Sequence, residues 1–286
     1  MTCIIGCVTP ARALLVCARQ ELTLAVRSRW TQTFAIAFAA LSLAVAVSGY
    51  VLSGGSGVQD FARTAASLVQ IVILLVPLTA LLLGVLTLAS DRGNAELLFS
   101  QPVSRGTILV GRVLGLFEAL VSAQALGFGA AGLVIYSRAG QEGVLGYVVV
   151  AAASIVLTAI CLGLAALIAA GNIGRRRSRA LALALVVWLA LVFLIDLAAL
   201  GGASLLRSGA ASRVLITTAI ANPVDAVRTA ALLAIEGTAA FGSASLALLR
   251  FAGGPVRAAL LLAGSLALWL VLPLLLASRR LSRADI

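Results

Sequence analysis

A soluble domain carries roughly 25% charged residues; this chain of 286 residues is 62% hydrophobic and 11% charged, with mean hydropathy +1.14, which excludes a water-soluble fold. Its net charge of +11 comes entirely from arginine, because Lys and His are absent. That removes the Walker A phosphate loop, which needs Lys, and zinc-protease motifs and Ser-His-Asp triads, which need His.

Several apolar runs reach about 20 residues, enough to cross a hydrocarbon core of about 30 Å as helix. The expectation is an all-α polytopic membrane protein in which 1–286 form one transmembrane domain. Arginine clustered beside such runs reads as orientation signal and anionic-lipid contact, and no nucleic-acid partner is expected.

At the N-terminus Cys3 and Cys7 are spaced C-x3-C in a tail placed in the cytoplasm, where disulfides are disfavoured. A Cu(I) thiolate pair and an inert tail are both open readings. No complete signal peptide is visible, and Leu14-Leu15-Val16-Cys17 lacks the small residue a lipoprotein box places before its Cys. Residues 11–30 are too charged to span; Leu15, Ala18, Leu22, Ala25 and Val26 fall on one face and Arg12, Arg19, Thr23 and Arg27 largely opposite. This predicts an interfacial amphipathic helix with Trp30 at headgroup depth.

Spans are expected at 31–52, 67–89, 113–136, 144–170, 180–200 and 255–277. Between the second and third lies a long mixed stretch, 90–112, containing Asp91, Arg92, Glu96, Gln101, Arg105 and Arg112, with Pro102 in its middle. It reads as a short surface helix, a turn and a returning helix on which another protein pushes. Between the fifth and sixth spans, 204–254 holds apolar pieces too short to cross, broken at Asn222-Pro223. Re-entrant or interfacial helices are expected there, forming a cavity or partner surface on one reading and a hydrophobic lid on the other.

Short-flank arginines fall on one side: Arg12, Arg19, Arg27 and Arg29; Arg92, Arg105 and Arg112; Arg175, Arg176, Arg177 and Arg179; Arg279, Arg280 and Arg283. The opposite short loops hold only Arg63 and Arg138. Both termini are therefore expected in the cytoplasm. Two intramembrane carboxylates stand out. Asp196 in the fifth span must face the bundle interior or water, since a charge at the hydrocarbon centre costs about 3 kcal/mol on insertion scales. It is expected to pair with Arg207 or Arg213 or to touch cargo. Glu118 is expected to pair with Arg112 or another arginine of the same end. Cys161, within a span, reads as a packing residue. Small-xxx-small spacing, as in Gly111-x3-Gly115, predicts close helix packing within or between protomers.

Four segments carry a resemblance: ARQELTLAVRSRW at 18–30, GNAELLFSQPVSRGTILVGRVLG at 93–115, VVWLALVFLIDLAAL at 186–200 and NPVDAVRTAAL at 222–232. Together they resemble the ABC-2-type ABC transporter permeases, and the last two resemble the NosY branch of that family. Gly93 precedes Glu96, a displacement from the family's loop pattern. The resemblance implies a non-catalytic permease subunit in a bacterial inner membrane, with ATP and Mg held by a separate ATPase and no cofactor or metal bound by this chain. It implies a homodimer with two NosF-like ATPase subunits, a NosD-like periplasmic protein on the outer segment, a NosL-like copper chaperone acting through the complex, and surrounding membrane lipids. Gly93, Glu96, Leu97, Pro102, Arg105, Arg175 and Arg176 would couple to the ATPase; Asn222, Pro223, Asp225 and Arg228 would contact the periplasmic partner. The implied task is copper delivery in nitrous oxide reductase maturation, with a generic ABC-2 exporter of lipid, drug or glycan as the alternative.

Overall fold

The computed structural model describes residues 10–51, 58–89, 103–139, 144–172, 176–206, 208–236, 249 and 251–283. Hydrocarbon leaves no partner for an open N–H or C=O, so the chain satisfies its backbone with long helices. These are α1 (Pro10–Arg27), α2 (Arg29–Val51), α3 (Val58–Leu88), α4 (Arg105–Ala139), α5 (Val144–Gly171), α6 (Arg177–Leu189), a π-turn (Ala190–Leu194), α7 (Ile195–Leu205), α8 (Ser208–Ala221), α9 (Pro223–Glu236) and α10 (Pro255–Ser282). Among the described residues there are six spans: Arg29–Gly49, Thr64–Leu88, Arg105–Ser137, Gly146–Gly171, Arg177–Leu205 and Pro255–Ser282. The α6–π–α7 run forms one of them.

The fold is the expected all-α polytopic one, but its helices outrun the apolar segments. The third span begins at Arg105 rather than near Val113, and the sixth continues to Ser282 through Arg279 and Arg280. Polar flanks cost nothing in helix once outside hydrocarbon, and cations in a last turn suit the negative end of the helix dipole. Pro77 lies inside α3 without ending it.

Helices α3, α4 and α5 hold the centre, with Ile73, Leu81, Leu116, Leu120, Leu157 and Leu162 fully buried. Between α4 and α5 a buried amide supplies polar adhesion. Gln124 Nε2 donates to Thr158 Oγ1 at 2.8 Å and Ser154 Oγ donates to Gln124 Oε1 at 3.0 Å. By contrast α10 is mostly unburied within the chain, its apolar side chains Leu260, Leu268 and Val271 facing outward.

Helix α1 lies on α4. The seat is made by two glycines: a Cβ at Gly115 would stand 2.1 Å from the Ala18 carbonyl oxygen, and one at Gly111 2.7 Å from Cys17 Cβ. The Gly111-x3-Gly115 spacing thus serves an intrachain contact. The buried face of α1 is Ala13, Ala18, Glu21 and Ala25, while Leu15 and Val26 are exposed. The expected apolar face is therefore split: Ala18 and Ala25 are buried and Leu22 packs against the core, with Glu21 beside them, whereas Leu15 and Val26 stay outside.

The segment after the fifth span forms a re-entrant hairpin. Its arms, α8 and α9, have 14 residues each, about 21 Å of helix. The tip at Ile220–Asn222 bonds to mid-span positions: Trp269 Nε1 donates to Ala221 O at 2.9 Å, Ser265 Oγ to Ile220 O, and Asn222 Nδ2 to Leu191 O at 2.7 Å. Val224, Ala226, Val227 and Ala231 of α9 are buried against α3, α5 and α10, so the hairpin penetrates the bundle rather than lying over it.

Overpacking a seat costs about 1–3 kcal/mol. Gly115→Val should lower the thermal midpoint of the detergent-solubilised protein and expose α1 to proteolysis. Gly129→Ala in the same helix, with nothing within 4 Å, should leave the midpoint unchanged or raise it.

Candidate functional site

Two polar layers stand at different levels of the bundle. The first lies at the arginine-rich end, where the chain leaves α3 and returns in α4. Ser104 caps α4, its Oγ accepting from Thr107 N–H at 3.2 Å. Two turns into the helix, Arg112 reaches two other helices: its Nε meets Glu21 Oε2 of α1 at 2.9 Å and its Nη2 donates to the Thr87 carbonyl in the last turn of α3. Arg177, at the start of α6, donates to Leu86 O, and Arg105 Nη1 donates to Leu281 O at 3.3 Å. Carbonyls in the last turn of a helix have no intrahelical partner. Here arginines of neighbouring helices take them for both α3 and α10, and their charge suits that end of the dipole.

The geometry changes one expected pairing. Arg112 pairs with Glu21, and Glu118 is exposed, without an ion pair among the described residues. A six-residue separation leaves two side chains about 120° apart around a helix, on different faces. Glu21 was the missed partner; its signal is that it is the lone acid in a segment, 11–30, otherwise carrying only arginine charges. Of the residues expected to couple to an ATPase, Arg105 starts α4 and Arg176 is exposed at the start of α6. Gly93, Glu96, Leu97, Pro102 and Arg175 lie outside the described residues.

The second layer lies in the opposite half, between α7 and the hairpin. Asn222 and Pro223 start α9 as a cap followed by proline at the first helical position. Asn222 Oδ1 accepts from Val224 N–H at 3.1 Å, and its Nδ2 donates to Leu191 O and, at 2.9 Å, to Asp225 Oδ2. Leu191 belongs to the π-turn, where the helical ladder is locally relaxed. Arg228 Nη1 lies 2.9 Å from Asp196 Oδ2 and 3.0 Å from Asp225 Oδ1. Burial, with help from a hydrogen bond to Asp196, pushes the Asp225 carboxyl up to about 7 against the pull of Arg228.

Asp196 therefore pairs with Arg228 and not with Arg213, while Arg207 lies outside the described residues. The hairpin's return brings Arg228 of α9 within reach of Asp196 of α7, a fold-back that spacing along the chain does not reveal. Asn222, Pro223 and Asp225 are buried and Arg228 half-buried. Asn222, Asp225 and Arg228 join Asp196 in one bonded network, with Pro223 starting the helix that carries it. Among the described residues no group of three or more His, Cys, Asp or Glu comes together.

The sequence profile described as "ABC-2 family transporter protein" matches residues 15–286. The chain is similar to the "Probable ABC transporter permease protein NosY" of Pseudomonas aeruginosa, 32% identical over 265 residues that cover 90% of this chain and 91% of that protein. It is similar as well to the protein of the same description from Stutzerimonas stutzeri, 34% identical over 267 residues, 91% of this chain and 94% of that one.

Leaving one member of a buried ion pair unpartnered costs about 3 kcal/mol or more. Arg112→Ala and Glu21→Ala should each lower stability to urea-induced unfolding by that order. The double variant should lose clearly less than the two losses added, because the pair shares one interaction.

Proposed function

The chain belongs to the ABC-2 family of transporter proteins, and from that membership we propose that it is the membrane half of a machine driven by a separate ATPase. It is a permease subunit. In the proposed assembly two copies of this chain pair with two NosF-like ATPase subunits, which hold the ATP and Mg. The orientation rule for arginine places the arginine-rich end, both termini and residues 90–104 in the cytoplasm of a bacterial cell.

The single observation that carries this reading is the three-way contact of Arg112. Residues 90–104 join α3 to α4, and just inside that junction one guanidinium holds α4, the end of α3 and α1 together. A push on the connecting segment cannot tilt α4 without moving α1 or breaking a buried ion pair. The segment is thereby suited to receive a stroke and pass it on as motion of several helices.

At the far end the moving element is the re-entrant hairpin. Its tip is bonded to the fifth and sixth spans and its arm is packed on α3 and α5, so displacement of these helices shifts it. In the proposed mechanism a NosD-like periplasmic protein rests on the outer segment and responds to that shift. Asn222 to Arg228 set the hairpin's position from within. Copper delivery for nitrous oxide reductase maturation, with a NosL-like chaperone supplying the complex, is the task this arrangement serves. Copper need not cross this subunit: soft thiolate and thioether ligands are what select Cu(I), and the chain has one Met and, of its four Cys, only Cys161 within a span.

Coexpression with a NosF-like ATPase should yield a complex that retains both proteins through purification; a chain isolated alone from native membranes would contradict the assembly. Glu96→Arg and Pro102→Gly should leave membrane insertion intact. Each should abolish the dependence of the far-end activity on ATP hydrolysis, read as enzyme maturation in cells against ATPase rate in the purified complex.

A further inference from the structure

Between α7, α8 and α9 lies a cavity of about 190 Å³ lined by Asp196, Asp225 and Arg228, with Thr218 and Thr229 beside them and Leu200, Leu215 and Leu232 as apolar wall. Two carboxylates converge on a single guanidinium nitrogen, at 2.9 and 3.0 Å. With both ionised, the charges −1, −1 and +1 leave one uncompensated negative charge in the membrane half of the protein, where an unpaired charge is costly. The contact to Asp225 Oδ1 is not directed along a hydrogen bond. That oxygen is buried and accepts no hydrogen bond, and Arg228 Nε is likewise buried with none to make.

We propose that Asp196 and Asp225 form a proton-binding site, in which one proton held between the two carboxylates neutralises the cluster and fixes the re-entrant hairpin against the fifth span. Uptake adds one H⁺ from water to a carboxylate oxygen, and release returns it; no other bond changes. A hard metal cation is a poorer occupant, since it asks for about six or more oxygen ligands and Arg228 already stands between the two acids. The site is independent of which protein drives the other end of the chain.

The surroundings contribute little competing charge. Helix α5 and the π-turn carry no Asp, Glu or Arg, although α5 has Tyr147 and Cys161. Helix α8 brings only Arg213, and α10 only Arg257 in this half; neither pairs with the cluster among the described residues. Helix α3 carries Asp60 and Arg63 in its first turns, whose side chains lie outside those described.

The direction of the pH effect comes from linkage. The docked hairpin holds the proton up to about pH 7, whereas an undocked, solvated Asp releases it near 3.8. Between those values the docked state binds more protons, so docking weakens as pH rises through that window and is constant above it.

The Thr218→Cys variant reports undocking to an impermeant thiol reagent applied to the hairpin side of vesicles holding the full-length protein. Normalised to the same cysteine in the Asp225→Asn protein, labelling should rise by up to about tenfold per pH unit from about pH 5 to 7 and then level off. Asp196→Asn should flatten the profile as well. In the unmutated protein, infrared spectra should show a carboxylic acid C=O band that vanishes with a midpoint near pH 7. Identical labelling profiles with and without the acids, or no such band in the unmutated protein, overturns the proposal; the spectrum does so whether or not the variants fold.

Discussion

A guanidinium placed among helices must have its charge and its donors matched, and at Arg112 that requirement shapes the whole arginine-rich end. The charge is met by Glu21 of α1 and a remaining donor by the Thr87 carbonyl at the end of α3. A helix lying along the bundle is thereby tied to two helices crossing it, at the place where the chain emerges and returns. The glycine seat makes the tie reachable, since α1 could not approach α4 closely enough over side chains. Neighbouring arginines extend the same logic to α10 and α6, so the arginine-rich end behaves as one braced layer.

The opposite half is organised by a similar need, met differently. A hairpin that enters hydrocarbon must satisfy its turn, and Asn222 does so by capping α9 and taking the Leu191 carbonyl of the π-turn. The trio of Asp196, Asp225 and Arg228 then sits above the tip with one charge to spare. The braced layer and the charged cavity are joined through α3, α5 and the fifth span. These same helices contact the hairpin directly, which in the proposed mechanism is the route from one end to the other.

The six spans were legible because apolar run length is a local property of the chain. The hairpin was legible as two short apolar pieces around Asn222-Pro223. Its depth was not, because depth is fixed by bonds from Trp269, Ser265 and Asn222 to residues 31 to 48 positions away. Asp196 announced itself as a carboxylate needing a partner, yet the partner lies on a fold-back. The partner of Arg112 was unreadable for the same reason, being 91 residues distant, whereas Glu118 was near in number but on another face. Periodicity reports which side of a helix is apolar; it does not report which neighbour that side meets, and in α1 Leu15 and Val26 of the apolar face stay outside the contact while Glu21 enters it.

The central claim is that force enters between α3 and α4 and is shared with α1 through one ion pair. Exchanging the charges tests it most directly. In the purified complex with its ATPase, Glu21→Arg alone and Arg112→Glu alone should separate ATP hydrolysis from motion at the hairpin, followed by a spin or fluorescence label on α8. The double exchange should restore ATP-dependent motion in substantial part. Full coupling in either single variant, or a double variant no better than the singles, would contradict the account.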